Sequence, residues 1–285
     1  MKVLVLGATG MAGHTIALYF KEKGHEIISY SRSPFKYTKN IIGDVFETEK
    51  LKTVLIEGNY DAVINCIGIL NQDAEDNTYK AIYLNTYLPH LIVDTLKNTN
   101  TKLIHMSTDC VFTGNSGPYF EDSFCDGKSF YDRTKALGEI NDDKNLTFRN
   151  SIIGPDMNFN GIGLFNWFMK QNDSINGYTG AIWTGVTTLT LAKAMEKAIE
   201  QNLCGLYNLV NNESISKYDL LQIFNNIFFD NMININKNCK FQLDKSLKNT
   251  RNDFSFEIPS YIQMVLEMHD WITKHKNLYP HYNLY

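Results

Sequence analysis

Tyr131 and Lys135, in the run Phe130-Tyr131-Asp132-Arg133-Thr134-Lys135, stand about one helical turn apart, with Ser107-Thr108-Asp109-Cys110 upstream. On a helix this spacing puts a phenol and an ammonium on one face. A free phenol titrates near pH ~10 and a neighbouring cation favours its anion, so the pair is expected to exchange a proton near neutrality. Its natural chemistry is proton transfer to a carbonyl or an alcohol. A tyrosine and a lysine one turn apart also describe an ordinary exposed helix face, and the weight of the pair comes from the elements around it.

At the amino terminus Val3-Leu4-Val5-Leu6 runs into Gly7-Ala8-Thr9-Gly10-Met11-Ala12-Gly13 and then the apolar-periodic stretch Ile16 to Phe20, which reads as strand, tight turn and helix. Glycine tolerates positive φ and lets a backbone approach a pyrophosphate, while the helix N-terminus offers free N–H groups to the anion. The turn therefore predicts dinucleotide binding through Gly7, Thr9, Gly10, Met11 and Gly13. Short apolar runs at His25 to Tyr30, Ala62 to Cys66 and Leu103 to Met106 read as strands buried in a parallel sheet, with a helix from Tyr79 to Leu96 between the last two. Asn65-Cys66-Ile67-Gly68 and Ser107-Thr108-Asp109 then fall at strand carboxyl ends, where open α/β sheets bind their ligands. The expected fold is α/β, a Rossmann-type doubly wound parallel sheet with a smaller C-terminal α/β substrate lobe. Its expected boundaries are 1–150 for the dinucleotide-binding part, rejoined at roughly 181–212, and 151–285 for most of the lobe.

Over most of its length the chain resembles the extended short-chain dehydrogenase/reductase superfamily. Ser107-Thr108-Asp109-Cys110-Val111-Phe112-Thr113-Gly114, followed by Tyr131-x-x-x-Lys135-Ala136-Leu137-Gly138-Glu139, is most similar to the dTDP-4-dehydrorhamnose reductase branch. That resemblance implies that Thr108 and Tyr131 hydrogen-bond the C4 oxygen of a 4-keto sugar, that Lys135 holds the nicotinamide ribose, and that Asp109 contacts substrate. Nucleotide-sugar 4,6-dehydratases carry a glutamate base where this chain has Cys110, so a dehydratase is disfavoured. Reductases of the rhamnose pathway usually carry tyrosine there, and GDP-fucose synthase places its epimerising cysteine at the same offset. Cys110 is thus either a base for C3 epimerisation or a small residue that makes room. No histidine between 150 and 200 completes the fucose-synthase pair.

Similarity to enzymes of UDP-N-acetyl-L-rhamnosamine formation, in Ser151-Ile152-Ile153-Gly154 and Ile215-Ser216-Lys217-Tyr218-Asp219-Leu220-Leu221, points to a UDP-2-acetamido-2,6-dideoxy-L-hexos-4-ulose substrate for surface-glycan synthesis. A dTDP-4-dehydrorhamnose substrate is the alternative. A non-catalytic NADP-binding regulatory subunit, like that of methionine adenosyltransferase, is another.

NADP(H) is preferred over NAD(H) because Ser29-Tyr30-Ser31-Arg32-Ser33 offers no carboxylate to the adenosine ribose, and Arg32 can fork onto a 2′-phosphate or remain a solvated loop charge. Asp44-Val45 resembles the superfamily segment flanking the adenine, and Cys66, Ile67, Gly68 and Ile153 complete the expected cofactor contacts. Trp183 either stacks on the sugar or fills the lobe core. Arg251, in the basic run Lys245 to Arg251, either meets the substrate diphosphate or is solvated.

In 285 residues there is room for both parts, and a net charge of −4 gives no general attraction to nucleic acid or anionic membrane. The five cysteines show no C-x-x-C spacing, which argues against a disulfide framework or zinc site and for a reducing cytoplasm. No apolar run approaches the ~20 residues of a membrane span and no cleavable signal is recognisable, so a cytoplasmic protein with no metal is expected. Relatives of this type often form homodimers. The aromatic tail Tyr279 to Tyr285 either packs on the lobe or serves a subunit contact.

Overall fold

Strand β1 (Lys2–Leu6) buries Val3, Leu4, Val5 and Leu6 completely, because parallel neighbours and helices cover both of its faces. In the computed structural model, which describes residues 1–282, it pairs with β2 (Glu26–Ser31) on one side and β4 (Ala62–Asn65) on the other. Strands β3 (Lys39–Ile42), β5 (Lys102–Ser107), β6 (Leu146–Arg149) and β10 (Gly205–Asn208) extend it to a seven-stranded sheet ordered β10-β6-β5-β4-β1-β2-β3. Every neighbouring pair is parallel. Strand order reverses at β1, which opens a crevice at the carboxyl ends of β1 and β4. This is the doubly wound sheet the sequence predicts.

Helices α1 (Met11–Glu22) and α8 (Thr188–Glu200) cover one face of the sheet, with Ile16, Phe20, Leu191 and Met195 in a shared core. On the other face, α2 (Thr48–Glu57) and α5 (Leu88–Leu96) bury Leu51, Leu55, Leu91 and Leu96. The helix expected over Tyr79 to Leu96 is divided. After α3 (Asn71–Asp76), α4 (Thr78–Ala81) runs into a π-helical turn over Ile82–Tyr87 before α5 begins. The wider turn turns Asn85 inward, where its amide holds a neighbouring loop.

After α6 (Phe130–Leu137) and β6, the chain leaves the main sheet: β7 (Ser151–Ile153) pairs with β9 (Gly185–Thr187), and α7 (Leu164–Phe168) follows. A second sheet sets β8 (Ile175–Trp183) between antiparallel β11 (Ile215–Ser216) and parallel β12 (Ile235–Asp244). This is the smaller C-terminal α/β lobe. Ser216 caps α9 (Lys217–Phe229) by accepting from the Asp219 N–H at 3.0 Å, as its Ser-x-x-Asp spacing predicts. Helix α10 (Tyr261–Lys274) packs on α9 and brings the chain to Tyr279 and Tyr282, both buried. Residues 283–285 of the aromatic tail lie outside the described residues. Among the described residues no helix is long and apolar enough to cross a membrane.

Candidate active site

The glycine-rich turn closes the crevice beneath β1. Gly7 has φ +81°, a left-handed conformation that a side chain would strain, and its N–H donates to the Tyr30 carbonyl at 2.9 Å. A Cβ on Gly13 would lie 2.2 Å from the Gly7 carbonyl oxygen, so the helix seats on the turn only with glycine there. Gly10 is the N-cap of α1; no side chain caps that end and no acid occupies the first turn, leaving its N–H groups to an external anion. These features fit a dinucleotide pyrophosphate. Thr9 and Met11 belong to the same turn, and Cys66, Ile67 and Gly68 follow β4 across the crevice, with Ile67 against the position a Gly7 Cβ would occupy. Burial pushes the Cys66 thiol up to about 12, which makes it a neutral wall group. Arg32 is exposed directly after β2, the strand that pairs with β1 beside the turn. The Asp44 carboxylate accepts from the Phe46 N–H at 3.1 Å, while Val45 and Ile153 are buried.

Strand β5 and helix α6 hold the catalytic candidates. Thr108 follows β5 in extended conformation, and its hydroxyl accepts from the Cys110 N–H at 3.1 Å and donates to Asp109 Oδ1 at 3.2 Å. Ser129 and Asp132 form a reciprocal capping box that fixes the start of α6. Glu75 adds to that cap by accepting from the Phe130 and Tyr131 N–H groups at 2.7 and 3.2 Å. Tyr131 is thereby set beside Thr108 and Cys110. One turn on, buried Lys135 donates from Nζ to the Met106 carbonyl at 2.6 Å, tying α6 to β5.

The electrostatics correct one expectation. Burial, reinforced by Cys110 and Asp109, raises the Tyr131 pKa above its usual range, outweighing the contrary pull of the Thr108 side chain. In the ligand-free protein the phenol is therefore a protonated acid and not a group that ionises near neutrality. Burial also pulls Lys135 down to about 8, against the opposing influence of Glu139. Burial and the neighbouring Asp109 push the Cys110 thiol up to about 12, so it is protonated at neutral pH. Buried Asp109 is itself shifted upward by desolvation, with Lys245 and Lys217 opposing.

A cavity of about 250 Å³ lined by Thr113, Asn115, Lys128, Asp132 and Lys245 adjoins this cluster. A larger one, of about 430 Å³, is lined by residues such as Tyr207, Asn211, Asn249 and Glu257 and by none of the catalytic candidates, so size does not mark the chemistry. Two sequence candidates are not brought to the cluster. The Trp183 indole is buried in the lobe core, 5.6 Å from the Tyr261 ring, because β8 turns it inward. Arg251 donates to the carbonyls of Cys204 and Leu206 at 2.7 and 2.9 Å and forks onto Asp253. Those carbonyls belong to the start of β10, at the end of the parallel sheet opposite to Thr108. From the same basic run it is Lys245 that lines the cavity adjoining the cluster.

Two residues to which the sequence assigned no role support the site. Asn85 donates to Thr134 Oγ1 on α6 at 3.2 Å and to the Ile69 carbonyl at 3.0 Å, and accepts from the Ile69 N–H at 3.0 Å. Glu139, just past α6, takes both Arg149 Nη2 at 2.6 Å and the Ser107 hydroxyl at 2.6 Å, linking α6, β5 and β6. An asparagine within an apolar helical stretch and a glutamate following Gly138 were the available signals.

The family model described as "RmlD substrate binding domain" matches residues 1–238. A probable low-salt glycan biosynthesis reductase of Haloferax volcanii is 23% identical over 77% of this chain and 77% of its own. Methionine adenosyltransferase 2 subunit beta of Xenopus tropicalis is 24% identical over 77% of this chain and 70% of its own. Among solved structures, dTDP-4-dehydrorhamnose reductase of Bacillus anthracis in complex with NADP shares the fold with a TM-score of 0.78, at 18% identity over 95% of this chain and 99% of that one.

Proposed function

Because the chain belongs to the RmlD substrate binding domain family, in the dTDP-4-dehydrorhamnose reductase-like branch of the extended short-chain dehydrogenase/reductases, we propose that it reduces the C4 ketone of a 4-keto-6-deoxy nucleotide sugar with NADPH. The observation that carries this reading is the buried set Thr108, Tyr131 and Lys135 at the carboxyl end of β5, beside a turn shaped for a pyrophosphate.

The residues act as follows. Gly7, Gly10 and Gly13 seat the cofactor pyrophosphate at the N-terminus of α1, and Arg32 faces the adenosine ribose, where a guanidinium favours a 2′-phosphate. A bound dihydronicotinamide supplies the hydrogen and electron pair that reduce the carbonyl carbon. Thr108 and Tyr131 hydrogen-bond the sugar C4 oxygen, and Tyr131 gives its proton to that oxygen as negative charge develops there. The Lys135 ammonium, one turn away, stabilises the phenolate left behind. Lys128 and Lys245 line the adjoining cavity and suit the substrate diphosphate, a role the sequence had suggested for Arg251. The lobe formed mainly by residues 151–285 is the substrate side in this reading.

A dTDP-linked 4-dehydrorhamnose-type sugar is now preferred to the UDP-acetamido sugar, supported by the family match and by the likeness to dTDP-4-dehydrorhamnose reductases. Epimerisation at C3 is not part of the proposal, since a Cys110 thiol pushed up to about 12 keeps its proton at neutral pH and leaves no thiolate to act as the base. All five cysteines are unpaired, which suits the reducing cytoplasm in which this reading places the protein. The Xenopus relative keeps a regulatory-subunit reading in view, and turnover separates the two. Purified protein is expected to oxidise NADPH faster with dTDP-4-keto-6-deoxy sugar than with the UDP-acetamido analogue, without deuterium entering C3 in deuterated water. Cofactor binding with no turnover on either sugar would favour the regulatory reading, and C3 deuteration abolished by Cys110→Ser would restore the epimerase.

A further inference from the structure

His14, on the second turn of α1, is completely buried, and its ring joins the glycine-rich turn to the far end of the chain. Nδ1 lies 2.9 Å from the Gly10 carbonyl oxygen and Nε2 lies 2.7 Å from the Tyr279 hydroxyl. A carbonyl only accepts, so Nδ1 carries the proton. Burial lowers the imidazole pKa to about 4, leaving it neutral with Nε2 as an acceptor. The Tyr279 hydroxyl must then donate to Nε2, and its oxygen accepts from Trp271 Nε1 at 3.1 Å. Every donor role is thereby fixed along Trp271, Tyr279, His14 and Gly10.

Tyr282 makes a second connection. Its hydroxyl oxygen accepts from the Asp156 N–H at 2.9 Å and its hydroxyl donates to Asn166 Oδ1. The Asn166 amide in turn donates to the carbonyls of Gly154 and Ile162 at 3.0 and 2.7 Å and lies 3.7 Å from Met11 Sδ, at the first residue of α1. The two phenol rings are stacked, with centroids 5.7 Å apart. One phenol thus fixes the back of the glycine turn and the other fixes the loop facing its helix. Fully satisfied buried polar networks of this kind specify one geometry where an apolar filling would not.

We propose that Tyr279 and Tyr282 are positioning residues for the dinucleotide, forming a latch that holds the glycine-rich turn and the 154–162 loop in the arrangement that binds it. The inference rests on the cofactor reading of that turn. Tyr279→Phe keeps the ring but leaves His14 Nε2 and Trp271 Nε1 without the shared hydroxyl, while Tyr282→Phe frees Asn166 and the Asp156 N–H. Tyr19→Phe is the control: Tyr19 lies on α1 with His14, but its hydroxyl donates to Glu196 Oε2 at 2.7 Å, away from the turn.

NADPH affinity is read by fluorescence titration in the absence of sugar nucleotide, alongside melting of the ligand-free proteins and KM and kcat where turnover is present. Each latch variant is expected to weaken NADPH about tenfold, a fraction of the cost of leaving two buried groups unpaired, while Tyr19→Phe binds normally. In the latch variants the cofactor KM rises while kcat at saturating NADPH is retained. Native NADPH affinity in both latch variants, or equal weakening in Tyr19→Phe, would reduce the contacts to general stability and overturn the inference. Unmodified protein that binds neither NADPH nor NADH would bring down the cofactor reading itself, and the latch with it.

Discussion

At the scale of single residues, the site depends on which of two opposing effects wins at Tyr131. A lysine one turn away lowers a phenol's pKa, but removal from water raises it, and Cys110 and Asp109 add to the rise. Burial prevails, and the result suits reduction, which needs a phenol that still holds its proton when the ketone arrives. Lys135 is where pH enters. Its ammonium, held near 8 by burial, is charged below that value and neutral above it. If that charge stabilises the phenolate formed as the proton leaves, as proposed, kcat/KM for reduction should be level from about pH 6 to 7.5 and decline above about 8. A pH–rate profile checks this, with Lys135→Met expected to be slow throughout and to lack the decline. A native profile rising through pH 9 would mean that the neutral amine is the active form.

At the scale of elements, the strand, glycine turn and first helix were legible because their contacts are local: apolar Val3–Leu6, close-packed Gly13 and an uncapped helix end all lie within a short run. The same holds for α6, whose Ser129 and Asp132 box displays Tyr131 and Lys135 one turn apart. The π-helical turn at Ile82–Tyr87 was not legible, since it answers to Ile69 and Thr134, which are distant in sequence. Arg251 was misplaced for the same reason, since its partners come from the start of β10, and the choice between the two readings of Trp183 was settled only by its packing on Tyr261 of α10. The turn itself offers a paired test. Gly13→Ala forces a Cβ against the Gly7 carbonyl and should lower both the melting temperature and NADPH affinity. At Gly10 a Cβ would sit 3.5 Å from that oxygen, an ordinary contact, so Gly10→Ala should melt within about 2 °C of native and weaken NADPH alone. Differential scanning fluorimetry with NADPH titration distinguishes the two, and unchanged affinity in both variants would exclude this turn as the pyrophosphate seat.

At the scale of the whole molecule, sheet order places the chemistry. Reversal at β1 puts the glycine turn and the Cys66 loop on either side of one crevice, and β5, next to β4, delivers Thr108 to the same edge. Helix α6 returns along that edge with Tyr131 and Lys135, and the second lobe brings Lys245 to the adjoining cavity. The parallel sheet was legible from its apolar runs, whereas the lobe was only outlined, because its strands pair out of chain order as β11-β8-β12. The central claim is that the Tyr131 hydroxyl supplies the proton in ketone reduction, and Tyr131→Phe tests it most directly. The predicted result is turnover reduced roughly 10²- to 10⁴-fold with NADPH affinity nearly native; turnover equal to the unmodified protein would contradict it.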